Sequence, residues 1–320
     1  MTVLLLTHSA DHFTVDRVAE ALSRRRVRTF RLDTDRFPQQ VRLSSRLDVG
    51  ELYYTVEDFG QSLLLEEVQA VWMRKIWMPK LSEHLQPQFR EACTRESMAA
   101  LEGFLDGLGA VRWVDSLPKI RQAGNKLYQL RVARSVGLQI PRTLVTNDSK
   151  QVQAFFQELE GAMITKLLTS LSFSMEGSGP FIYTSRVREE DLLSAESLCH
   201  SPMVFQEHIP KKHELRVAFV NGACFVGALN STQSQAGQVD WRLASPQELN
   251  WEPEVLPDEI TYRLKALMAE LGLIYGAIDL ILTPDGEYVF LEVNPSGEWG
   301  MLERDLHYPI SEAIAQALLL

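Results

Sequence analysis

A β-hairpin signal near the C-terminus constrains this sequence more than any other feature. Two apolar, strand-like runs, at residues 274–282 and 288–294, flank the sequence Thr283-Pro284-Asp285-Gly286. Proline presets φ in such a turn and glycine accepts a positive φ. The sequence therefore predicts an antiparallel hairpin.

Three oxygen-bearing side chains lie in this hairpin, Asp279 in the first run and Glu292 and Asn294 in the second. A turn at residues 283–286 would place Asp279 opposite Phe290, and a two-residue Asp-Gly turn would place it opposite Glu292. Both registers put the three side chains on one face. Such groups are costly in an apolar hairpin unless a cation joins them, and they are the hard donors that suit Mg²⁺. The alternative is a hairpin with one solvated face.

Composition limits the class of protein. A chain of 320 residues can hold two or three domains. The net charge of −10, without a strongly basic domain, argues against a general nucleic-acid binder. The three cysteines lack metal-type spacing, which predicts a reduced, cytoplasmic location. We find neither an apolar run of membrane-spanning length nor a signal-peptide pattern, so no membrane partner is expected.

The N-terminal region reads as α/β. Residues 3–32 follow a strand, helix, strand order, which predicts parallel strands and a right-handed crossover. No G-x-G-x-x-G pattern follows the first strand, which disfavours dinucleotide binding. Residues 41–71 alternate as short antiparallel strands. Arg74 and Lys75 then lie between two tryptophans at a strand end, where ligands collect in α/β sheets; an exposed pair of cations is the alternative.

The central region supplies two lysines and a polar loop. Lys126 lies in a predicted helix, residues 120–136. Residues 143–206 predict a small α+β module, in which Lys166 is an interior strand residue. The serine- and glycine-rich residues 169–180 follow, and such a loop can offer backbone N–H groups to phosphate, although most are plain connectors.

The order of these features resembles the ATP-grasp ligases over roughly residues 116–300. Within that superfamily the chain is similar, over nearly its whole length, to the ligases that cross-link microviridin-type ribosomal peptides, the graspetides. The stretches that carry this closer resemblance are Asp33-Thr34-Asp35-Arg36-Phe37-Pro38, Val71-Trp72-Met73-Arg74, Phe89-Arg90-Glu91-Ala92, Tyr275-Gly276-Ala277-Ile278-Asp279 and Leu291-Glu292-Val293-Asn294-Pro295-Ser296-Gly297-Glu298. The first of them is absent from generic ATP-grasp enzymes.

The resemblance implies a fold and a division into domains. An N-terminal pre-ATP-grasp α/β domain, residues 1–115, would precede two α+β subdomains that clamp the nucleotide. The central subdomain, residues 116–206, would carry a lid loop. The C-terminal subdomain, residues 207–320, would carry the metal site.

The resemblance also implies ATP and Mg²⁺ as cofactors and assigns residues by position. The expected nucleotide-binding residues are Lys126, Lys166, Gln206, Glu207, His208, Ile209 and Lys212. The expected metal ligands are Asp279, Glu292 and Asn294, and the expected catalytic arginines are Arg74, Arg216 and Arg242. Contacts to a helical leader peptide fall on Glu190, Asp191 and Ser194. Taken singly, Lys126 could be a surface lysine, Glu207 a charge at a hairpin end, and the acids a solvated helix start.

The implied function is ATP-dependent peptide macrocyclisation. The enzyme would activate Asp or Glu side chains of a ribosomal precursor peptide as acyl-phosphates and join them to Lys as ω-amides. The stretch Trp72-Met73-Arg74-Lys75-Ile76-Trp77 resembles the amide-forming ligase. Glu298 is a candidate general base, and a homodimer is expected from the family. An ω-ester-forming ligase, a RimK-like amino-acid ligase and a non-enzymatic ATP-binding sensor remain alternatives.

Overall fold

The structure, a computed structural model, describes residues 1–109, 111–168, 184–229 and 250–320. These residues form two compact units. The N-terminal unit comprises residues 1–118, 298–303 and 308–320, and the second unit comprises residues 119–297 and 304–307. The three-part division expected from the sequence stays a prediction.

The N-terminal unit is built on a four-stranded parallel sheet. Its strands and first two helices are β1 (Thr2–Thr7), α1 (Phe13–Arg24), β2 (Arg28–Asp33), β3 (Arg42–Asp48), β4 (Glu51–Asp58), β5 (Gln61–Leu64), β6 (Val68–Met73), α2 (Pro87–Asp106) and β7 (Arg112–Val114). The parallel strands lie in the order β2-β1-β6-β7, and β3, β4 and β5 form a separate antiparallel sheet. All six residues of β1 are buried, because a central parallel strand is covered on both faces. The predicted strand, helix, strand unit is confirmed.

The second unit contains two antiparallel sheets. Its elements are α3 (Leu117–Ala123), α4 (Lys126–Ser135), β8 (Thr143–Thr146), α5 (Ser149–Glu158), β9 (Met163–Lys166), β10 (Ser185–Arg186), β11 (Met203–Glu207), β12 (His213–Val220), β13 (Ala223–Leu229), β14 (Trp251–Pro253), α6 (Asp258–Glu270), β15 (Tyr275–Leu282) and β16 (Tyr288–Asn294). One sheet has the order β10-β9-β11-β8 and the other β14-β13-β12-β15-β16. The chain ends with α7 (Gly300–Leu306) and α8 (Ile310–Leu319).

Helix α6 explains why the second sheet is well anchored. Its buried residues Leu264, Leu267 and Met268 repeat at helical spacing and join Ile278 and Phe290 of the hairpin in one hydrophobic core. The polar row described below therefore lies on strands whose apolar residues are buried.

Among the described residues, no helix has the length and apolar character needed to cross a membrane.

Candidate functional site

The C-terminal hairpin brings the three predicted metal ligands to one face. Strand β15 pairs with β16 so that Asp279 lies opposite Glu292 and Ala277 lies opposite Asn294. The register shifts by one residue between Asp279 and Leu280. A β-bulge on β16 therefore produces the Asp279–Glu292 pair, rather than the two-residue turn considered from the sequence.

A row of charges continues from this pair across the sheet. Arg216 of β12 lies opposite Asp279. Its Nη1 donates to Asp279 Oδ1 at 2.7 Å and to Oδ2 at 2.9 Å. Arg216 is 8% exposed, so this ion pair is largely shielded from water. Burial alone would lower the pKa of Arg216, but the Asp279 carboxylate outweighs burial and raises it, so the guanidinium stays charged.

Lys126 closes the row from a helix N-terminus. The predicted helix at residues 120–136 is broken after α3, and Asn125 caps the new helix by accepting a hydrogen bond from Tyr128 N at 3.0 Å. Lys126 is the first residue of α4, and its Nζ lies 2.9 Å from Glu292 Oε2. The same Nζ donates to Leu167 O at 3.1 Å.

The structure thus brings one predicted phosphate lysine, two predicted metal ligands and one predicted catalytic arginine together in a row of two carboxylates with a cation at each end. It runs from Leu167 O through Lys126, Glu292 and Asp279 to Arg216. Within the described residues, no group of three or more His, Cys, Asp or Glu side chains is arranged to hold a metal. The predicted set consists of two carboxylates and one amide, and protein cations already neutralise both carboxylates.

Gly297 is required where the chain folds back over this row. A Cβ built there would lie 2.4 Å from Ala277 Cβ and 3.0 Å from both Arg216 Nη2 and Asn294 Cβ. Tyr275 fixes the same segment, because its hydroxyl donates to Gly297 O at 2.8 Å. Any larger residue at 297 would displace the arginine or the hairpin.

The remaining predicted nucleotide residues lie on the first sheet of this unit and in the segment that follows it. Lys166 is the last residue of β9, not an interior one as expected from the sequence, and it pairs in register with Val204. Gln206 is 1% exposed and donates to Thr143 Oγ1 at 2.9 Å, so its side chain is committed to the fold.

The segment after β11 provides the other predicted nucleotide residues. Glu207 accepts a hydrogen bond from Arg142 N at 3.2 Å. His208 lies 3.3 Å from Arg186 through its Nε2, and burial, then the arginine, lower the pKa of His208. Ile209 is half-buried and Lys212 is exposed. Arg242 and the loop at residues 169–180 lie outside the described residues.

The predicted leader-peptide residues lie on an exposed 3₁₀ segment, Glu189–His200. Arg188 Nη1 lies 2.9 Å from Glu190 Oε1, and Arg188 N donates to Asp191 Oδ2 at 2.8 Å. Ser194 Oγ donates to Asp191 O at 3.0 Å. Asp191 therefore caps the segment, while Glu190 holds an arginine of its own chain at the surface.

Arg74, predicted as catalytic, occupies a buried network in the N-terminal unit. It is 2% exposed, and its Nε lies 3.3 Å from Asp11 Oδ2 and 3.1 Å from Thr14 Oγ1. Its Nη2 donates to Glu298. Burial alone would raise the pKa of Asp11, but Arg74 and two threonine hydroxyls outweigh burial and lower it. Glu298, the candidate base, is thus bound by an arginine.

His8 packs beside this network and gives the N-terminal unit a pH dependence. Its ring stacks on Trp77 with centroids 3.7 Å apart, it is 6% exposed, and burial is the main cause that lowers its pKa below 6.5. The unfolded chain then binds a proton more readily than the folded chain as the pH falls through about 6.5, so acid lowers the stability of the folded protein.

We expect His8→Gln to reduce, by roughly a few degrees, the fall in melting temperature between pH 7.5 and 5.5. Scanning calorimetry across that range, with the exposed His84→Gln as control, measures the difference; equal slopes would reject it.

Family comparisons identify the chain. Residues 2–121 match the family model described as the MvdD pre-ATP-grasp domain, and residues 123–318 match the RimK-like ATP-grasp domain. The chain belongs to the ATP-grasp ligases. The predicted α/β ATP-grasp fold with an N-terminal pre-grasp region is confirmed.

Solved ATP-grasp structures refine the relationship. The macrocyclase MdnB from Microcystis aeruginosa MRC is 52% identical, with a TM-score of 0.86 over 100% of this chain and 99% of that chain. The macrocyclase MdnC from the same organism, bound with precursor peptide MdnA, is 38% identical, with a TM-score of 0.89 over 100% of this chain and 99% of that chain. A RiPP-associated ATP-grasp ligase from Chryseobacterium gregarium, in complex with ADP and a leader and core peptide, is 30% identical, with a TM-score of 0.92 over 99% of this chain and 96% of that chain. The resemblance to the graspetide ligases is therefore confirmed.

A less similar relative is the probable alpha-L-glutamate ligase of Desulfotalea psychrophila. It is 26% identical over 190 residues, which are 58% of this chain and 38% of the relative. The chain thus matches little more than a third of that protein's length.

Proposed function

We propose that this ligase uses ATP to activate Asp or Glu side chains of a ribosomal precursor peptide and joins them to Lys amines as ω-amides. The similarity to MdnB and MdnC over whole chains supports a peptide macrocyclase. The observation that carries the proposal is the Lys126–Glu292–Asp279–Arg216 row, in which Lys126, at the start of α4, pairs with the carboxylates and arginine that three neighbouring strands place side by side.

The residues present fit a divalent cation. Asp279 and Glu292 are half-buried carboxylates on one face, each paired with a cation of its own chain, and a metal ion would replace those cations as the partner of the two carboxylates. We propose that these carboxylates and Asn294 hold Mg²⁺, which, when bound, supplies charge neutralisation for the phosphate groups of ATP. In this proposal Lys126 and Arg216 then bind phosphate oxygens.

The other assigned residues complete a nucleotide site in this proposal. Lys166 carries a phosphate contact from the end of β9, and Glu207, His208 and Ile209 face the base with their backbone groups. Gln206 acts through its place in β11, since its side chain is buried against Thr143. Lys212, exposed at the start of the next strand, contacts the ribose, and Arg242 contributes charge to the transferred group.

The proposed reaction has two balanced steps. A substrate carboxylate oxygen takes the γ-phosphoryl group of ATP, giving an acyl-phosphate and ADP. A lysine amine then attacks the acyl carbon, loses a proton and displaces phosphate, leaving an amide. The fixed positive charges of Arg216 and Lys126 would stabilise the negative charge that moves between these groups.

Mass spectrometry of the product tests this function. The enzyme is incubated with ATP, Mg²⁺ and the precursor peptide MdnA, and we expect ADP and the loss of one water from the peptide for each link. Mild alkali distinguishes the links, because it opens esters and leaves amides intact. Gain of an amino-acid mass would favour a RimK-like transferase, and peptide binding without ADP release would favour a sensor.

The leader-peptide assignment makes a separate prediction. Glu190→Gln removes the surface carboxylate that now pairs with Arg188, and we expect it to weaken precursor binding roughly tenfold by removing a charged hydrogen bond. Fluorescence anisotropy with labelled MdnA measures the affinity, and nucleotide affinity is expected to stay the same. Glu196→Gln, on the same segment but bonded to Ser149, is the matched control. Unchanged affinity for MdnA in Glu190→Gln would remove the assignment.

A further inference from the structure

The N-terminal unit contains a cleft that none of the assigned nucleotide, metal or leader residues lines. Its volume is about 510 Å³, within the range of roughly 300–1,000 Å³ typical of small-ligand sites. The lining includes Ser9 after β1, Asp35 and Arg36 after β2, Lys80 after β6, and Phe59 in the β4–β5 turn. Ligands bind at the carboxyl ends of strands in open α/β sheets, and most of this lining follows such ends.

A buried carboxylate fixes one cation in the cleft. Asp35 has no exposed surface, and it accepts hydrogen bonds from Ser9 N at 2.8 Å and Ser9 Oγ at 2.6 Å. Lys80 Nζ lies 2.6 Å from the same carboxylate, yet the Lys80 side chain is 64% exposed. Burial alone would raise the pKa of Asp35, but Lys80 and Ser9 outweigh burial and lower it. The ammonium group is thus both positioned and accessible.

An exposed aromatic ring lies on the same cleft. Phe59 is 81% exposed and has a φ of +48°, a backbone conformation that bulky L residues rarely adopt. The Arg36 guanidinium stacks on its ring, 3.4 Å from the centroid, and Arg36 is itself held by Asp58 Oδ1 at 3.2 Å and Gln40 Oε1 at 2.8 Å. The ring is held at the surface, where it offers an apolar face.

The accessible charge of the cleft is positive. Asp33 and Asp35 are buried, with side chains 9% and 0% exposed. Arg31 is occupied by Asp33 at 2.8 Å and by the carbonyls of His8 and Asp11. Of the three cations in the lining, Lys80 has the most exposed side chain, at 64% against 29% for Arg31 and 11% for Arg36. Because the chain carries a net charge of −10, an anion gains little from the overall field and needs such a local cation.

We propose that this cleft binds an acidic residue of the substrate peptide, with its carboxylate on Lys80 and an adjacent aromatic or aliphatic side chain on Phe59. Asp35 lies directly against the ammonium, which favours a singly charged carboxylate over a doubly charged phosphate. The peptide identity of the ligand rests on the proposed function. The cleft would hold part of the core sequence.

Two variants test the cleft without disturbing the buried residues. Phe59→Asn removes the ring and places a residue that tolerates positive φ, so the turn is expected to form. Lys80→Gln removes the accessible charge and leaves Asp35 its two bonds from Ser9. The control variants are Phe89→Asn and Arg95→Gln, an exposed aromatic residue and an exposed cation on α2.

The probe is a fluorescein-labelled, amidated peptide, Phe-Glu-Asp-Phe, titrated in the absence of ATP. Its neutral counterpart, Phe-Gln-Asn-Phe, is tested both amidated and with a free terminal carboxylate. We expect the acidic peptide to bind more tightly than both neutral forms. Phe59→Asn should weaken it roughly three- to tenfold and Lys80→Gln about tenfold, with the controls unchanged.

Unchanged affinity in both variants, or equal binding of the amidated neutral peptide, would overturn the cleft assignment. Preference for the free terminal carboxylate would overturn the assignment to an acidic side chain. The result is separable from the ligase proposal, because Glu292→Gln should bind the probe normally. A cleft that binds the probe in an enzyme that makes no ADP with MdnA would retain this inference and reject the ligase function.

Discussion

Replacing Glu292 with glutamine should abolish ADP formation while the protein remains folded. Glu292 is the carboxylate shared by the predicted metal site and Lys126, and glutamine keeps its shape but removes the charge. We expect ADP formation with MdnA to fall by at least 10²–10³-fold, roughly the loss seen when a charge-stabilising group is removed from an active site. A coupled ADP assay measures the rate. The active control is Glu259→Gln, which removes an exposed carboxylate that pairs with Arg263 on α6.

Asp279 needs a more careful substitution. Asp279→Ala would leave Arg216, which is 8% exposed, without its carboxylate, and an uncompensated buried charge costs about 3–5 kcal/mol. Asp279→Asn keeps a hydrogen-bond acceptor for Arg216, so it is the better variant to compare with Glu292→Gln. Turnover retained in Glu292→Gln, with melting unchanged, would reject the metal-ligand role.

Loss of Arg74 should lower the stability of the N-terminal unit. Arg74→Met leaves Asp11 buried beside two threonine hydroxyls without its cation, at a cost of about 3 kcal/mol or more. For a protein of 320 residues this cost lowers the melting temperature by about 4–5 °C. Scanning calorimetry measures it, and Arg95→Met on the exposed face of α2 is the control.

A double variant separates the structural role of Arg74 from a catalytic one. Adding Asp11→Asn to Arg74→Met removes the stranded charge and should recover part of the melting temperature. Should Arg74→Met melt like the wild type and yet lose turnover, Arg74 would instead act in catalysis, as the sequence predicted.

The sequence predicted the face of the metal hairpin because strand side chains alternate regardless of the turn that joins the strands. It did not predict the bulge at the Asp279–Glu292 pair, since a bulge depends on pairing rather than on local composition. Nor could it reveal that Arg216 and Lys126 neutralise the carboxylates, because those contacts join distant segments. The assigned roles of these residues stay predictions.

Two local signals could have been used further. Gly124-Asn125 interrupts the predicted helix at residues 120–136, and an asparagine N-cap there would have placed Lys126 at a helix start. Asp11 and Arg74 both follow parallel strands that the structure shows to be neighbours. A sequence reading could therefore have predicted that the two side chains meet at the carboxyl edge of the sheet. The burial of Arg74 was not predictable, because charged residues are rarely fully enclosed.

The return of the C-terminal segment has a consequence for synthesis. Residues 298–303 and 308–320 belong to the N-terminal unit, where α8 packs against α1, β6 and β7. On the ribosome, α1, β6 and β7 therefore lack this packing partner until α8 has been synthesised. A nascent chain stalled before residue 308 should therefore be more sensitive to protease in its earliest part than a chain that includes α8.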